Sequence, residues 1–471
     1  MKFKIPYIAI GALLISMALF SSCDEYLDDI PKGEKIPTSL ADYEAFIRNE
    51  NNHMNDAAQA INLLNDVYKK PSDLSYVSLT SINYNWMENE DRIIQNNSGE
   101  AAYYDSYTAI SYWNLMISSV PDATEASDTE KLELIAQAKV LRAMNYFHLT
   151  NYYAEQYNEG TAATKLSVPL ITSAEMGAPS EQISIAKMYE FILTDLTEGI
   201  FNLPVESTTL LHPNLGCGYA MLARVYLQMG DYDNALLYAQ KALDQNNQLF
   251  NWKEYYAENK DQIEKEDDWS TSYPSITLTN PENYIFRYGS STYSSNSSLS
   301  LARAAQFEVG DARFASKWKV KYQAPDSIYY GIRSDKFNAG GITTPEMYYI
   351  KAECVARKGG QTNLDEAMLT LNTVRETRIF DANYADLTAS TVEEAIASIR
   401  KEKANEYVQT AIPFWDMKRF NKEANYAQIV TKVYNNQSLE LSPDSHMWIM
   451  PFPMGATSNP GNGTLEQNTP R

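Results

Sequence analysis

Cys23 stands at the point where the chain changes from apolar to acidic. Lys2 and Lys4 precede a nearly continuous apolar stretch over residues 7–20, and two small serines separate that stretch from the cysteine. A positive start, an apolar stretch and small residues before a cleavage point are typical of an export signal. The stretch is shorter than the ~20 residues that a membrane span needs. Cleavage before Cys23 leaves a thiol at the new N-terminus, where it can act as the nucleophile toward a diacylglycerol.

Residues 19–23, Leu-Phe-Ser-Ser-Cys, resemble a bacterial lipobox. They predict that residues 1–22 are a signal peptide and that Cys23 is lipidated, with palmitate as the expected kind of acyl chain. The alternative is an ordinary secretory signal with a chance cysteine. Four acidic residues follow the cysteine: Asp24, Glu25, Asp28 and Asp29. They resemble the signal that sends Bacteroidetes lipoproteins to the outer face of the outer membrane, whereas the alternative is a solvated tether.

The other reactive side chains do not form a catalytic or metal-binding pattern. The sequence has no GxSxG, HExxH or phosphate-loop motif, and its four histidines lie far apart: His53, His148, His212 and His446. Cys217 and Cys354 lack CxxC spacing and sit in helical patterns, so we predict core packing rather than a disulfide. These spacings give no pattern for a metal site or a cofactor, and we predict neither. A glycoside hydrolase stays as an alternative, because the separation of two carboxyl groups cannot be read from a sequence.

Pairs of helices are the elements that must position any site. Residues 218–243 place apolar residues at three- and four-residue steps on both sides of Gly230, and small alanines follow on the second half. This stretch resembles a tetratricopeptide repeat, a helix-turn-helix unit that must stack on others to bury its apolar face. Together with less regular segments of the same kind, this repeat predicts helical pairs at about residues 101–153, 186–245 and 344–378.

Two stretches between these pairs have a different composition. Residues 49–99 and 252–338 are rich in Asn, Tyr and Ser and show little periodicity. We predict that they are loop-rich insertions. Long loops on a rigid scaffold often carry function.

The charge of the chain excludes some partners. The 471 residues have a formal net charge of −21, and removal of the signal with Lys2 and Lys4 makes it −23. Such a surface repels nucleic acid and anionic lipid, so we predict no nucleic-acid partner. Contact with a membrane would come from the lipid or from a partner protein.

Several motifs in order along the chain resemble the SusD/RagB family of Bacteroidetes outer-membrane lipoproteins. They are CDEYLDDIP from residue 23, AQAKVLRAMNYFHLTNYY from residue 136, MLARVYLQMGDYDNA from residue 221, the helical pair from residue 344, and MWIMPFPMGATSNP from residue 447. The resemblance covers essentially the whole mature chain. It implies a mostly α fold, a tetratricopeptide-like superhelix of helical pairs with long irregular loops and a few short strands.

One block departs from the family pattern. Within residues 402–419, Lys403 stands where the family has Arg, and Thr410, Ala411 and Pro413 replace Glu, Gly and Arg. We expect a buried ion pair of the family to be absent here, without loss of the fold.

The resemblance implies a binding function rather than catalysis. SusD-like proteins capture a nutrient, usually a glycan, at the cell surface and sit as a lid on a SusC-like TonB-dependent transporter. A peptide-binding lid protein of the RagB type is the alternative. A third hypothesis is a repeat scaffold that binds only protein partners, as tetratricopeptide grooves commonly do.

Exposed aromatic rings beside amides would suit a glycan, which offers apolar C–H faces and hydroxyl rims. Trp86 with Tyr84 and Asn85 gives this mixture, and Trp269 with Tyr273 gives it again, each outside a helical repeat. We predict that these five residues contact the ligand. The alternative is that the two tryptophans are buried anchors of long loops, since tryptophan is usually mostly buried.

Overall fold

The computed structural model describes residues 36–96, 100–175, 177–265, 278–289, 298–323, 326–331, 338–434, 437–461 and 463–470. The predicted signal peptide (residues 1–22), Cys23, Trp269 and Tyr273 lie outside these residues.

The described residues are mostly helical, which confirms the predicted fold class. In chain order the helices are α1 Leu40–Arg48, α2 Ala58–Leu64, α3 Leu79–Asn85, α4 Arg92–Gln95, α5 Ala101–Ser119, α6 Asp128–Tyr153, α7 Ile185–Gly199, α8 Leu215–Met229, α9 Tyr232–Gln245, α10 Trp252–Ile263, α11 Leu301–Ala304, α12 Ala312–Lys317, α13 Thr344–Ala356, α14 Gln361–Arg375, α15 Val392–Glu406, α16 Ile412–Phe420 and α17 Met454–Ser458. Among these, no helix has the length and apolarity needed to cross a membrane.

The strands are short and form small separate sheets. In chain order they are β1 Met54–Asn55, β2 Leu166–Leu170, β3 Glu181–Ser184, β4 Asn283–Ile285, β5 Tyr288–Gly289, β6 Leu299–Ser300, β7 Trp318–Gln323, β8 Asp326–Gly331, β9 Ile342–Thr343, β10 Val430–Tyr434 and β11 Gln437–Leu441. Within the described residues, four sheets have two strands each, β1–β5 in parallel and β2–β3, β4–β9 and β10–β11 antiparallel, and a fifth has the antiparallel order β6-β8-β7.

Helices α8 and α9 show why the sequence folds into pairs. Gly230 ends α8 in the left-handed conformation (φ 79°), which glycine adopts without strain, and the chain turns back into α9. The fully buried face of α9 consists of Ala235, Ala239 and Ala242, whose small side chains allow close packing. In the same manner α5 packs on α6, α6 on α7 and α13 on α14. Helix α9 also packs on α13, which connects the earlier helices to the later pair.

Buried ion pairs fasten neighbouring helices to each other. The Arg142 guanidinium donates two hydrogen bonds of 2.8 Å to Asp195, joining α6 to α7. Arg224 donates to both carboxylate oxygens of Glu346 at 2.7 and 2.5 Å, joining α8 to α13. Because each pair is bidentate, it sets the relative orientation of two helices as well as their separation.

Residues 402–419 keep buried ion pairs, although Thr410 and Pro413 cannot form one. Lys403 replaces the family's arginine but keeps a buried pair, with its ammonium 2.8 Å from Asp416. Arg419 donates to both oxygens of Glu353 at 2.6 and 2.9 Å. Burial alone would raise the pKa of Glu353, but Arg419 and then Arg357 bring it down to about 2. The local charges therefore stay compensated despite the substitutions.

Residues 49–99 are less irregular than predicted. They contain α2, α3 and α4 and two 3-10 turns. Cys217 and Cys354 are both buried and free, as predicted from their helical patterns.

Candidate functional site

A cleft of about 560 Å³ lies beside α5. Its volume is within the range of ~300–1,000 Å³ that is usual for small-molecule sites. We call it the tyrosine cleft. Its lining residues are Tyr103, Tyr104, Tyr107, Ser111, Pro169, Ile171, Ser173, Ala174, Glu175, Gly177, Ala178, Ser180, Gly455, Ala456, Asn459, Pro460, Gly461 and Leu465.

Helix α5 supplies the aromatic wall. Positions 103, 107 and 111 follow each other at four-residue steps, so Tyr103, Tyr107 and Ser111 share one face of the helix, and Tyr104 lies next to them. The Tyr103 ring is 5.3 Å from Tyr104 and 4.8 Å from Tyr107 between ring centres. Tyr104 and Tyr107 are partly exposed, whereas Tyr103 is 8% exposed. The wall therefore has a fixed inner ring and two rings that a ligand can reach.

Aromatic contacts beneath the wall hold Tyr103 in place. Its ring centre lies 5.7 Å from Tyr153 of α6 and 6.0 Å from Phe452, and those two rings stack on each other at 5.3 Å. Tyr107 is fixed by its hydroxyl, which donates to the Pro169 carbonyl at 2.8 Å. A rigid wall loses little conformational entropy when a ligand binds.

The opposite walls come from the segments after β2 and around α17. The Ser180 hydroxyl donates to the Pro460 carbonyl at 2.9 Å and ties these segments together. A Cβ added at Gly463 would lie 2.1 Å from the Ser180 carbonyl oxygen, so only glycine allows this approach. Gln182 strengthens the junction by accepting a 2.7 Å hydrogen bond from the Glu466 backbone.

The electrostatics of the tyrosine cleft are simple. Glu175 is the single charged side chain among the described lining residues. Burial raises the pKa of Tyr103 and of Tyr107 well above the usual value for tyrosine, so both phenols keep their protons at neutral pH. The cleft thus offers aromatic faces, hydroxyl groups and the Asn459 amide to a ligand, and its described lining has no positively charged side chain.

The structure places the predicted residues Tyr84, Asn85 and Trp86 elsewhere, at the end of α3. All three are buried, and Trp86, which is 7% exposed, belongs to the main hydrophobic core. Its backbone is left-handed (φ 51°) and its indole N–H donates to the Leu63 carbonyl at 2.7 Å. Trp86 is therefore a buried residue of the core, which agrees with the alternative that it anchors a loop. Its contact with a ligand stays a prediction, as do those of Tyr84 and Asn85.

A lysine covers this group, which we call the Trp86 turn (residues 84–86). The Lys432 ammonium lies 4.4 Å from the centre of the Trp86 ring and 4.6 Å from that of Tyr84. It also donates to Asn65 Oδ1 at 2.8 Å and to the Tyr84 carbonyl. Burial lowers the pKa of Lys432 to about 7. A ring face covered by the Lys432 side chain is not free to stack on a ligand.

The tyrosines of the cleft were missed because they lie on a predicted helix, whereas the predicted ligand contacts were all residues outside the helical repeats. The sequence does contain a signal for an aromatic site. Helix α5 has tyrosines at positions 103, 104, 107 and 112, and a hydrophobic core does not require so many aromatic side chains with a hydroxyl group on one helix. No group of three or more His, Cys, Asp or Glu side chains in the described part of the chain is arranged to hold a metal ion.

Two family models match the chain. Residues 25–227 match a family described as starch-binding and associating with the outer membrane, named SusD-like, and residues 344–469 match the SusD family. No curated protein sequence matches the chain.

Solved structures share the fold at low sequence identity. A SusD superfamily protein from Bacteroides vulgatus superposes with a TM-score of 0.67 at 16% identity, covering 92% of this chain and 100% of that chain. The surface glycan-binding protein A from Bacteroides thetaiotaomicron has a TM-score of 0.63 at 16% identity, with 92% and 99% covered. A SusD-like carbohydrate binding protein from Bacteroides vulgatus has a TM-score of 0.54 at 18% identity, with 86% and 89% covered. At these identities the likeness shows the fold alone.

Proposed function

The chain belongs to the SusD/RagB family, and from that premise we propose that it is a surface-exposed lipoprotein that captures a glycan and delivers it to a SusC-like TonB-dependent transporter. The proteins of this family bind ligands and are not catalysts, and the chain is not an enzyme. The glycoside hydrolase alternative is therefore dropped.

The tyrosine cleft is the observation that supports glycan capture most strongly. Two partly exposed tyrosine rings stand on a rigid helix, and hydroxyls, an amide and one carboxylate surround them. Aromatic faces pack on the C–H faces of sugar rings, and the polar rim can exchange hydrogen bonds with hydroxyls. Two structural neighbours are named as a surface glycan-binding protein and a carbohydrate binding protein, which agrees with this class of ligand.

The absence of Lys, Arg and His from the described lining favours a neutral glycan over an anionic one. The net charge of −23 after signal removal acts in the same direction, because it repels polyanions. A RagB-type peptide ligand is the alternative outcome of the test.

The test is calorimetric titration of the detergent-solubilised lipoprotein with starch, neutral glucans, galactans and mannans, beside polygalacturonate and a peptide mixture. We expect one neutral polysaccharide to bind and polygalacturonate to bind weakly. Tyr104→Ala should weaken that binding several-fold. Binding of peptides with no polysaccharide binding would contradict glycan capture.

Membrane anchoring and the transporter are tested in the cell. We expect the wild-type chain to be labelled at the cell surface and to co-purify with a TonB-dependent porin from mild detergent. Cys23→Ala should release the chain as a soluble periplasmic protein, since the two acyl chains of a diacylglycerol are enough for stable anchoring. Unchanged surface labelling of Cys23→Ala would contradict the anchor, and recovery of the wild-type chain alone would contradict the partnership.

A further inference from the structure

Exposed apolar side chains occur together at one end of the molecule, where α6 begins and α7 ends. Phe201 is 83% exposed and Val205 is 67% exposed, and both follow closely after α7. Leu132, in the second turn of α6, is also exposed. We call Leu132, Phe201 and Val205 the apolar patch. Exposed apolar side chains that lie side by side indicate a surface that contacts a partner or a membrane.

The packing of α6 on α7 brings the three residues of the patch to the same end. The two helices are antiparallel, since Asp195 pairs with Arg142 while Gly199, the last residue of α7, lies against Ala136. Leu132 is one helical turn before Ala136 and shares its face of α6. It therefore continues the contact face of α6 past the end of α7, where the other two patch residues follow.

The N-terminal end of the described chain lies at this end too. The Thr38 carbonyl accepts a 2.9 Å hydrogen bond from the backbone N–H of Thr124, which precedes α6 by four residues. Helix α1 packs on α6, and its Glu44 carboxylate is 3.5 Å from His212 in the connection between α7 and α8. The chain that comes from Cys23 therefore joins the described structure near the patch.

A lipid on Cys23 would hold the patch close to the membrane. Twelve residues separate Cys23 from Ile36, and the chain between them spans at most about 45 Å when fully extended. A short tether raises the effective concentration of the second contact, so an apolar contact too weak to bind a free protein can orient a tethered one. This step rests on the lipidation of Cys23 in the proposed function.

The charges around the patch indicate which kind of lipid surface it suits. Lys131 already donates to the Pro121 carbonyl at 3.1 Å, and Lys139 pairs with Glu198 at 2.6 Å. The other exposed charged side chains of residues 120–132 and 200–206 are acidic: Asp122, Glu125, Asp128, Glu130 and Glu206. Because acidic groups repel anionic headgroups, the suitable lipid surface is net-neutral.

We propose that the apolar patch inserts into a net-neutral lipid surface beside the Cys23 anchor and so fixes the orientation of the protein on the membrane. Phenylalanine and leucine are side chains that enter the boundary between headgroups and acyl chains. Helix α5 ends at Ser119 near the patch, and Tyr104 of the tyrosine cleft lies about 22 Å from that end along the helix. The cleft then faces away from the lipid and stays open to a ligand.

The experiment places a nitrobenzoxadiazole probe on Asn202→Cys in the full-length lipoprotein on phosphatidylcholine vesicles. Asn202 is exposed and lies next to Phe201, so the probe reports on the patch while the patch residues stay in place. Cys217 and Cys354 are buried, so the introduced thiol is the accessible one. Flotation of the vesicles shows separately whether the chain is anchored.

Thr373→Cys on α14 is the matched control, because it lies one turn from Leu369, which is 69% exposed, on a helix that packs on α13 and α15. Doxyl-labelled phosphatidylcholine should quench the probe at Asn202→Cys roughly two-fold more strongly than the control probe. Phe201→Ser should remove this difference, whereas Leu369→Ser should leave it unchanged. Vesicles that contain phosphatidylglycerol should give weaker quenching, because they repel the acidic side chains.

Equal quenching of the two probes on floating vesicles would overturn the proposal and leave the lipid anchor intact. A chain that does not float with the vesicles would overturn the anchor and this proposal with it. Shielding of the Asn202→Cys probe only when a TonB-dependent transporter is reconstituted beside the protein would also overturn it, because the patch would then be covered by protein. Glycan capture at the tyrosine cleft is measured separately and does not depend on these results.

Discussion

The Trp86 turn and the tyrosine cleft contain the same kinds of side chain and differ in what those side chains already contact. In the turn, the indole N–H is bonded to Leu63, and Lys432 stands over the rings of Trp86 and Tyr84. In the cleft, Tyr103 and Tyr107 are fixed from below while Tyr104 and Tyr107 stay partly exposed. Aromatic residues beside amides in a sequence therefore do not mark a binding site until the partners of each ring are known.

The largest expected effect is on stability, and it comes from removing the buried Trp86 side chain. Trp86→Ala should lower the free energy of unfolding by about 3–5 kcal/mol, as the loss of a buried tryptophan usually does. The affinity of the folded fraction for a bound polysaccharide should stay unchanged. Thermal melts and calorimetric titration of the same sample measure both quantities.

Trp86→Phe is the matched control, because it keeps an aromatic ring and loses the bond to the Leu63 carbonyl. We expect a smaller loss of stability in this variant. Weaker polysaccharide binding by either variant at an unchanged melting temperature would show that Trp86 contacts the ligand, as the sequence predicted.

Lowering the pH should reduce the stability of the fold but should not change ligand binding at the tyrosine cleft. Burial, and then the charge of Arg287, lower the pKa of His53 and of His148 to about 3. Both histidines are neutral in the folded state, and in the unfolded state they gain a proton below a pH of about 6.5. The unfolded state then binds more protons, so stability falls as the pH drops from about 6.5 toward 3, by roughly 1.4 kcal/mol per pH unit for each histidine.

Denaturant titrations at pH 7.0, 6.0 and 5.0 check this expectation, with His148→Gln and His53→Gln as the comparison variants. Each variant should flatten the dependence of stability on pH. Polysaccharide affinity should not change over this range, since no histidine is among the described lining residues of the cleft. If stability in both variants depended on pH as steeply as in the wild type, the two histidines would not be the cause of the loss of stability in acid.

The fold was predictable where small residues recur along one chain segment. The alanines of α9 and the turn at Gly230 were sufficient to place one helical pair. The ion pairs were not predictable. Arg142 and Asp195 lie on separate helices, and the sequence around each residue does not show which residue it will pair with.

The candidate site was harder to predict for the same reason. The burial of Trp86 depends on Leu63 and Lys432, which reach it from other parts of the chain. The cleft depends on α5 meeting the segments around Pro169 and Pro460. Helical spacing shows which residues share a face, but it does not show which part of that face the rest of the chain leaves uncovered.

A smaller effect is expected from the lysine over the Trp86 turn. Burial lowers the pKa of Lys432 to about 7, whereas an unfolded lysine titrates near 10.4. The unfolded state binds more protons between these values, so this residue makes the wild type more stable as the pH rises from 7 to 9, by roughly 1 kcal/mol per pH unit at most. Lys432→Met should remove that part of the pH dependence, as measured by denaturant titration. A pH dependence identical to that of the wild type would mean that the lysine is solvated rather than held over the rings.

The central claim is that the ligand binds at the tyrosine cleft, and it is tested most directly by titrating the same polysaccharide into the wild type, Tyr104→Ala and Trp86→Phe. Stacking on an aromatic ring contributes about 1 kcal/mol, so Tyr104→Ala should bind roughly five-fold more weakly at an unchanged melting temperature. Trp86→Phe should bind like the wild type at a lower melting temperature. Full affinity in Tyr104→Ala together with weakened binding in Trp86→Phe would contradict the account and place the ligand at the Trp86 turn.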